Sequence, residues 1–153
     1  MYSKEEASVV RQKFWTIFGK YMHPVTSACG EKINWINYKT GIKGISFKMN
    51  VDNNIVIIAI EISCKDHELQ IQFFDLFIHL EKKFIELMGI NFTFEKNYID
   101  GYGKNLSRIY SSLNKINIYK ESDWTSIISF LKKNITAFDT FWFDYKVAFD
   151  LLQ

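Results

Sequence analysis

The sequence contains few residues that break secondary structure and few that cross-link a fold. Its 153 residues include one proline and two cysteines. Without a proline-rich linker or a change in composition to divide the chain, we predict one domain over residues 1–153. Two cysteines make neither a disulfide framework nor a complete zinc site. A chain of this length is expected to be stable through its hydrophobic core instead.

The sequence also lacks a large excess of charge of one sign, and it lacks long apolar runs. Nineteen basic and 17 acidic residues leave a formal net charge of +2, which excludes a general attraction to nucleic acid but not a local basic patch. No apolar run has the length of a membrane span, and the first residues lack the pattern of a signal peptide. We therefore predict a cytoplasmic protein with reduced cysteines and no membrane partner.

What the sequence does contain is clear hydrophobic periodicity. Three segments show helical spacing of apolar residues: 3–23, 66–89 and 122–152. Five segments show strand patterns: 32–38, 45–51, 55–63, 91–96 and 106–113. The predicted order is αβββαββα. This order indicates an α+β fold in which three helices pack on a mostly antiparallel sheet, built from a three-strand meander and a hairpin.

One glycine-containing segment, DGYGKNLSRIYSSL over 100–113, invites comparison with a phosphate-binding loop. A Walker A loop needs G-x-x-x-x-G-K-[ST] between a strand and a helix, because the helix N-terminus and successive N–H groups hold the phosphates. Here the sequence from Gly101 to Lys104 has a different spacing, and a strand follows it. We interpret the segment as a hairpin turn.

The strand after this turn places Arg108 on one face with Leu106 and Tyr110. A partly covered arginine requires a carboxylate or an anionic ligand. Glu61 is the predicted partner, because an unpaired carboxylate in so apolar a strand would be costly. A structural Glu61–Arg108 ion pair on one sheet face is the favoured interpretation, and ligand binding by Arg108 is the alternative.

A catalytic interpretation rests on Asp52, Glu61 and Lys65, which follow or lie on the second and third predicted strands. Their arrangement is similar to the PD-(D/E)XK nuclease core, in which two acidic residues and a lysine hold a metal and activate water. Ser63 stands where that pattern has the lysine, so the match is incomplete. The C-x-x-H spacing over 64–67 is half of a zinc site without a second pair. We predict no metal and no cofactor.

Two surfaces are candidates for a partner. Phe141 and Phe143 lie off the apolar stripe of the last helix. Their position predicts a second covered surface, such as a homodimer contact. A basic sheet face would instead suit nucleic acid. Its candidate binding residues are Lys43, Lys48, Glu61, Lys104 and Arg108.

Four sequence blocks carry a resemblance to a known family: FWTIFGKYM, NWINYKTGIKGISFKMN, GKNLSRIY and the pair Asp123-Trp124. In this order they resemble the uncharacterised bacterial family called domain of unknown function 4268, over nearly the whole chain. That family includes short stand-alone proteins and longer ones with a nuclease-like N-terminal half. The resemblance therefore implies a DNA-related or defence-related setting, with no established reaction.

Two functions of different classes remain open at this point. The favoured one is a non-catalytic binding module that contacts nucleic acid or a protein partner. The alternative is a divergent metal-dependent nuclease-like enzyme. The catalytic match is incomplete and the net charge is small, so the binding module is preferred.

Overall fold

The computed structural model describes residues 3–153, in which four helices accompany a four-stranded antiparallel sheet. The helices are Lys4–Met22 (α1), His67–His79 (α2), Glu81–Met88 (α3) and Trp124–Asp150 (α4), the last preceded by a 3-10 turn over Glu121–Asp123. The strands are Ile45–Val51 (β1), Ile55–Ile62 (β2), Thr93–Ile99 (β3) and Asn105–Asn114 (β4). The mixed fold with an antiparallel sheet is as predicted. The number of helices and the element order differ from the prediction.

The first helix begins as its sequence predicts. The Ser3 hydroxyl accepts a hydrogen bond from the Glu6 backbone N–H (3.1 Å), and the Glu6 carboxylate accepts one from the Ser3 N–H. This capping box satisfies two N–H groups that have no partner within the helix. The helix ends at His23, directly before the proline.

The long second helix of the prediction is two helices. Asp66 caps α2, and Gly89 ends α3 in the left-handed conformation, so both outer boundaries are confirmed. Between them the chain leaves the helical region at Leu80 (φ −94°, ψ 7°). No glycine or proline stands there, so the break depends on tertiary packing, which overrides local propensity.

The predicted strand over 32–38 is wrong. Residues 23–44 form a loop, called here the 23–44 loop, with an isolated bridge between Thr26 and Lys32. Trp35 is buried in the core and donates from its indole nitrogen to the Val25 carbonyl oxygen at 3.0 Å. Core packing of side chains, rather than pairing with β1, orders this loop. The meander is therefore a two-stranded hairpin, and the sheet order is β1-β2-β4-β3.

The two faces of the sheet differ in cover. Helices α2 and α4 contact the sheet, while α1 and α3 pack against α4. On the covered face, Val56, Ile58, Ile60 and Ile62 of β2 are completely buried. The other face, called here the open face, carries half-buried or exposed side chains: Ser46, Lys48, Asn50, Ile57, Glu61, Glu95, Tyr98, Arg108, Tyr110 and Ser112.

Helix α4 delivers its predicted apolar stripe to the core, with one correction. Phe141, assigned to a partner surface, is completely buried, and its ring lies 5.9 Å from Phe77 and 5.2 Å from Phe84. The two rings of α2 and α3 thus occupy the face of α4 that was expected to be free. Phe143 is 61% exposed.

Among residues 3–153, no helix combines the length and the apolar character that a membrane crossing requires.

Candidate nucleic-acid interface

The turn between β3 and β4 uses its own donors and does not form a phosphate cradle. The Asp100 carboxylate accepts hydrogen bonds from the N–H groups of Tyr102 and Lys104, both at 2.9 Å. The Gly103 N–H donates to the Asp100 carbonyl oxygen at 3.0 Å, and Gly103 has a positive φ of 79° that favours glycine. Three successive N–H groups are therefore committed to Asp100, as a hairpin turn requires.

Arg108 is the centre of a compact cluster on the open face. Its Nε and Nη2 atoms donate to one carboxylate oxygen of Glu95 at 2.9 and 2.8 Å. The guanidinium carbon lies 3.6 Å from the ring centre of Tyr98 and 4.1 Å from that of Tyr110. Only 16% of the Arg108 side chain is exposed. Charge pairing and cation–π contacts therefore fix the guanidinium between the two rings.

The predicted ion pair between Glu61 and Arg108 is corrected by this geometry. The two residues are direct cross-strand neighbours on one face, as predicted. The carboxylate that binds Arg108, however, is Glu95, which faces it from β3. Glu61 has no ion pair and no side-chain hydrogen bond with any residue from 3 to 153.

The sequence pattern missed Glu95 and Tyr98 together because the predicted strand ended at residue 96, whereas β3 extends to Ile99 and contains a β-bulge. In the ladder, Glu95 pairs with Arg108 and Tyr98 with Leu106, so one extra residue lies in β3. Strict alternation would put Glu95 and Tyr98 on opposite faces, and the extra residue returns them to the same face. The position of a bulge has no strong local signature, so the pattern alone does not reveal this pair.

Three lysines converge on a cleft of about 470 Å³ at one end of the sheet. Lys43 precedes β1, Lys65 follows β2 and Lys104 precedes β4; together they define the lysine cleft. None of the three forms an ion pair with a carboxylate within the described part of the chain. Asp66 also lines the cleft, and its carboxylate already accepts hydrogen bonds from two N–H groups as the cap of α2. The lining therefore carries three lysines without an ion-pair partner and one carboxylate that already caps a helix.

Cys64 also lines the lysine cleft, but its chemistry is that of a packed thiol. Burial, and then the nearby Asp66 carboxylate, raise the pKa of Cys64 above its ordinary value. A raised pKa keeps the sulfur protonated at neutral pH, and the thiol is a poor nucleophile. The cleft has the charge to hold an anion and lacks an activated nucleophile.

The structure does not bring together the three residues of the catalytic interpretation. Asp52 lies in the turn after β1, where its carboxylate pairs with Arg11 at 3.0 Å. Its backbone N–H bonds to Ile55, and Glu61 lies six residues further along β2, or about 20 Å. Lys65 belongs to the lysine cleft. Within residues 3–153, no three or more His, Cys, Asp or Glu side chains are grouped to hold a metal ion.

A second polar cluster, which the sequence pattern did not indicate, fastens the 23–44 loop to α4. Asp139 is 6% exposed and accepts hydrogen bonds from the Tyr38 hydroxyl and from the Ala28 N–H at 2.7 Å. Burial, and then the hydrogen bond and charge of Asp139, raise the pKa of Tyr38 far above its ordinary value. The phenol therefore stays a neutral donor. The Tyr38 ring also stacks on Phe47 at 4.7 Å.

Comparison with known protein families identifies one that matches this chain. The model of the family described as Domain of unknown function (DUF4268) matches residues 10–146. The chain belongs to this family. No curated protein and no solved structure matches it significantly. The DUF4268 match spans the lysine cleft, the open face and the Asp139 cluster, and the family description assigns no activity to any of them.

Proposed function

We propose that this DUF4268 protein is a non-catalytic nucleic-acid-binding module that uses the lysine cleft together with the open face. The observation that carries the proposal is the convergence of Lys43, Lys65 and Lys104 on one cleft without an ion-pair partner. Like charges within a Debye length repel one another, and a polyanion relieves that repulsion while releasing its counterions. The small net charge of the chain conceals this local excess.

The open face supplies the second part of the interface. Lys104, directly before β4, lies four residues before Arg108, about 13 Å away along extended chain. A strand of nucleic acid held at the cleft therefore reaches the Tyr98–Arg108–Tyr110 stack within a few nucleotides. Exposed aromatic faces on a sheet are a common platform for bases. On the far side of the stack, the exposed Lys48 is paired with Ala59, which is paired with Tyr110.

The test is a salt titration of binding. We would measure fluorescence polarisation of labelled DNA and RNA oligonucleotides, single-stranded and duplex, between about 50 and about 200 mM salt. Replacing Lys43, Lys65 and Lys104 together by glutamine should reduce the slope of log K against log salt by about 2 for single strands, since each lost phosphate contact removes about 0.7. With Mg²⁺ present, the oligonucleotides should remain intact.

A matched control carries the same charge change elsewhere. Lys82, Lys83 and Lys133 are exposed on α3 and α4 and form no ion pair in the described residues. Replacing these three by glutamine should leave the salt slope nearly as in the unmodified protein. An equal loss in the control, or no binding at the lowest salt, would overturn the proposal.

Self-association through α4 is the second candidate role. Phe143, Val147 and Leu151 are 61, 65 and 81% exposed and follow one another at intervals of four residues, so they form a stripe along the last turns of the helix and its C-cap. Pairing of this stripe with a second copy would cover it. Sedimentation velocity of the protein and of its Phe143→Ser variant tests this role. A single monomeric species at high protein concentration would contradict it.

A further inference from the structure

Glu61 is the unexplained group on the open face. It is half-buried, it neighbours Arg108 across the ladder, and its carboxylate has no side-chain partner within residues 3–153. A partly desolvated carboxylate without a donor is costly to the fold. It accepts hydrogen bonds and donates none, and it repels phosphate. The ligand group that suits it is therefore an N–H donor, and in a nucleic acid such donors include the neutral amino groups of the bases.

The neighbouring stack offers a complementary surface. Arg108 lies against one side of both Tyr98 and Tyr110, at 3.6 and 4.1 Å from the ring centres, and Glu95 locks it there. Both rings are half-buried, so part of each remains accessible. Paired bases in a duplex keep their faces within the stack and show only their edges, whereas unpaired bases expose faces that stack on aromatic rings.

Base edges also distinguish ligands that could satisfy Glu61. Cytosine presents an exocyclic amino donor at the position where thymine and uracil present a carbonyl acceptor, and carboxylates pair with that amino group. Adenine presents an amino donor as well. A base stacked on this platform, beside Glu61, would direct such a group towards the carboxylate.

We infer, on the basis of the proposed function, that the open face binds single-stranded nucleic acid by stacking unpaired bases on Tyr98 and Tyr110, and that Glu61 selects bases with an exocyclic amino group. The lysine cleft holds the phosphates on one side of the stack. Lys48, which is separated from Tyr110 by Ala59 of β2, is placed to hold them on the other side. Positive charge at both ends attracts phosphates, whereas the centre, with the Arg108–Glu95 pair and the Glu61 carboxylate, repels them and suits the bases.

The first arm of the test compares oligo(dC) with oligo(dT), two pyrimidine strands of equal length and charge. The unmodified protein should bind oligo(dC) about fivefold more tightly, the ratio that corresponds to one net hydrogen bond. Glu61→Gln should remove the preference, because an amide both donates and accepts. Equal affinities in the unmodified protein, or a preference that persists in Glu61→Gln, would overturn the inference. Oligo(rC) and oligo(rU) report whether RNA is bound in the same way.

The second arm tests stacking. Tyr98→Leu and Tyr110→Leu should each weaken single-strand binding at least about fivefold, as expected for a lost base–aromatic stack. Phenylalanine at either position keeps the ring and should restore most of the affinity. Tyr102→Leu is the matched control, because Tyr102 is 98% exposed at the tip of the hairpin. Thermal unfolding establishes that each variant is folded.

The outcomes separate this inference from the proposed function. If duplex and single strand bind equally, with the lysine-dependent salt slope intact and no effect of Tyr98→Leu, the lysine cleft binds polyanions and the stacking platform is refuted. If no oligonucleotide binds at low salt, the proposed function itself fails, and the open face then serves another partner.

Discussion

One strand, β2, contributes to both faces of the sheet, yet its side chains on the two faces differ in burial and in their partners. On the covered side, Ile58 and Ile60 are completely buried, whereas Glu61 on the open side is half-buried and has no side-chain partner among the described residues. Burial of apolar surface stabilises the covered side. The open side holds groups that burial penalises. The covered face therefore supplies most of the apolar burial of this strand, and the open face carries the groups on which the proposed function rests.

The largest predicted effect belongs to the covered face. Phe138 is completely buried, with its ring centre 5.2 Å from Phe47, 5.9 Å from Phe84 and 5.7 Å from Phe92. Phe138→Ala should lower the free energy of unfolding by about 3–5 kcal/mol, since it removes a buried ring and leaves a cavity. Urea unfolding followed by tryptophan fluorescence measures the change.

The exposed Phe143 on the same helix is the control for that substitution. Phe143→Ala should change the free energy of unfolding by less than about 0.5 kcal/mol. Under conditions in which Phe138→Ala is still folded, its affinity for oligonucleotides should equal that of the unmodified protein. A weakened affinity in the folded variant would mean that the two faces of the sheet are coupled.

The next effect concerns a polar contact at the margin of the covered face. Tyr38→Phe keeps the ring stacked on Phe47 but removes the hydroxyl that donates to the buried Asp139 carboxylate. At neutral pH this substitution should cost about 1–3 kcal/mol of unfolding free energy, because a buried acceptor loses a donor. Urea unfolding measures this cost as well.

The stability difference between the unmodified protein and Tyr38→Phe should also depend on pH in the alkaline range. The pKa of Tyr38 is raised in the folded state from its ordinary value of 10.0, by burial first and then by Asp139. At a pH above this ordinary pKa, the Tyr38 hydroxyl therefore keeps its proton in the folded state and loses it in the unfolded state. The stabilisation is complete below about pH 10 and decreases above it, by at most about 1.4 kcal/mol per pH unit. The stability difference between the unmodified protein and Tyr38→Phe should therefore shrink between pH 9 and pH 11, both approximate limits; a difference independent of pH would contradict this.

Much of the fold follows from local pattern, and the exceptions have physical causes. The cap at Ser3, the alternation of β1 and the stripe of α4 are decided within one turn or one strand. Residues 32–38 alternate like a strand, but their Trp35 and Tyr38 side chains pack into the core, and the segment joins no strand of the sheet. Pairing is a long-range property, so the periodicity of a single segment does not determine it.

The candidate site also combines features that follow from local sequence with features that depend on strand pairing. Lys43 and Lys104 were predicted as candidate binding residues on a basic sheet face, and the structure places both in one cleft with Lys65. Glu95 and Tyr98 depend on a bulge in β3, and their place beside Arg108 became visible only in the ladder. Chemistry that depends on residue type was therefore predictable, and chemistry that depends on strand register was not.

The smallest predicted effect tests whether the open face is a second core. Arg108→Lys keeps the charge but loses the two-donor contact with Glu95 and much of the stacking on Tyr98 and Tyr110. It should lower the free energy of unfolding by only about 1 kcal/mol. Its effect on single-strand binding should be larger than its effect on stability, because the two rings lose the group that holds them in place.

The control for that change is Arg11→Lys, at an ion pair with Asp52 whose two side chains are 42 and 53% exposed. Such a pair contributes about 0–1 kcal/mol, and a lysine preserves its charge, so stability and binding should both be nearly unchanged. If Arg108→Lys instead cost as much stability as Phe138→Ala, the cluster would be part of the structural core. The distinction between a face that makes the fold and a face proposed to bind would then fail, because both would be held by burial.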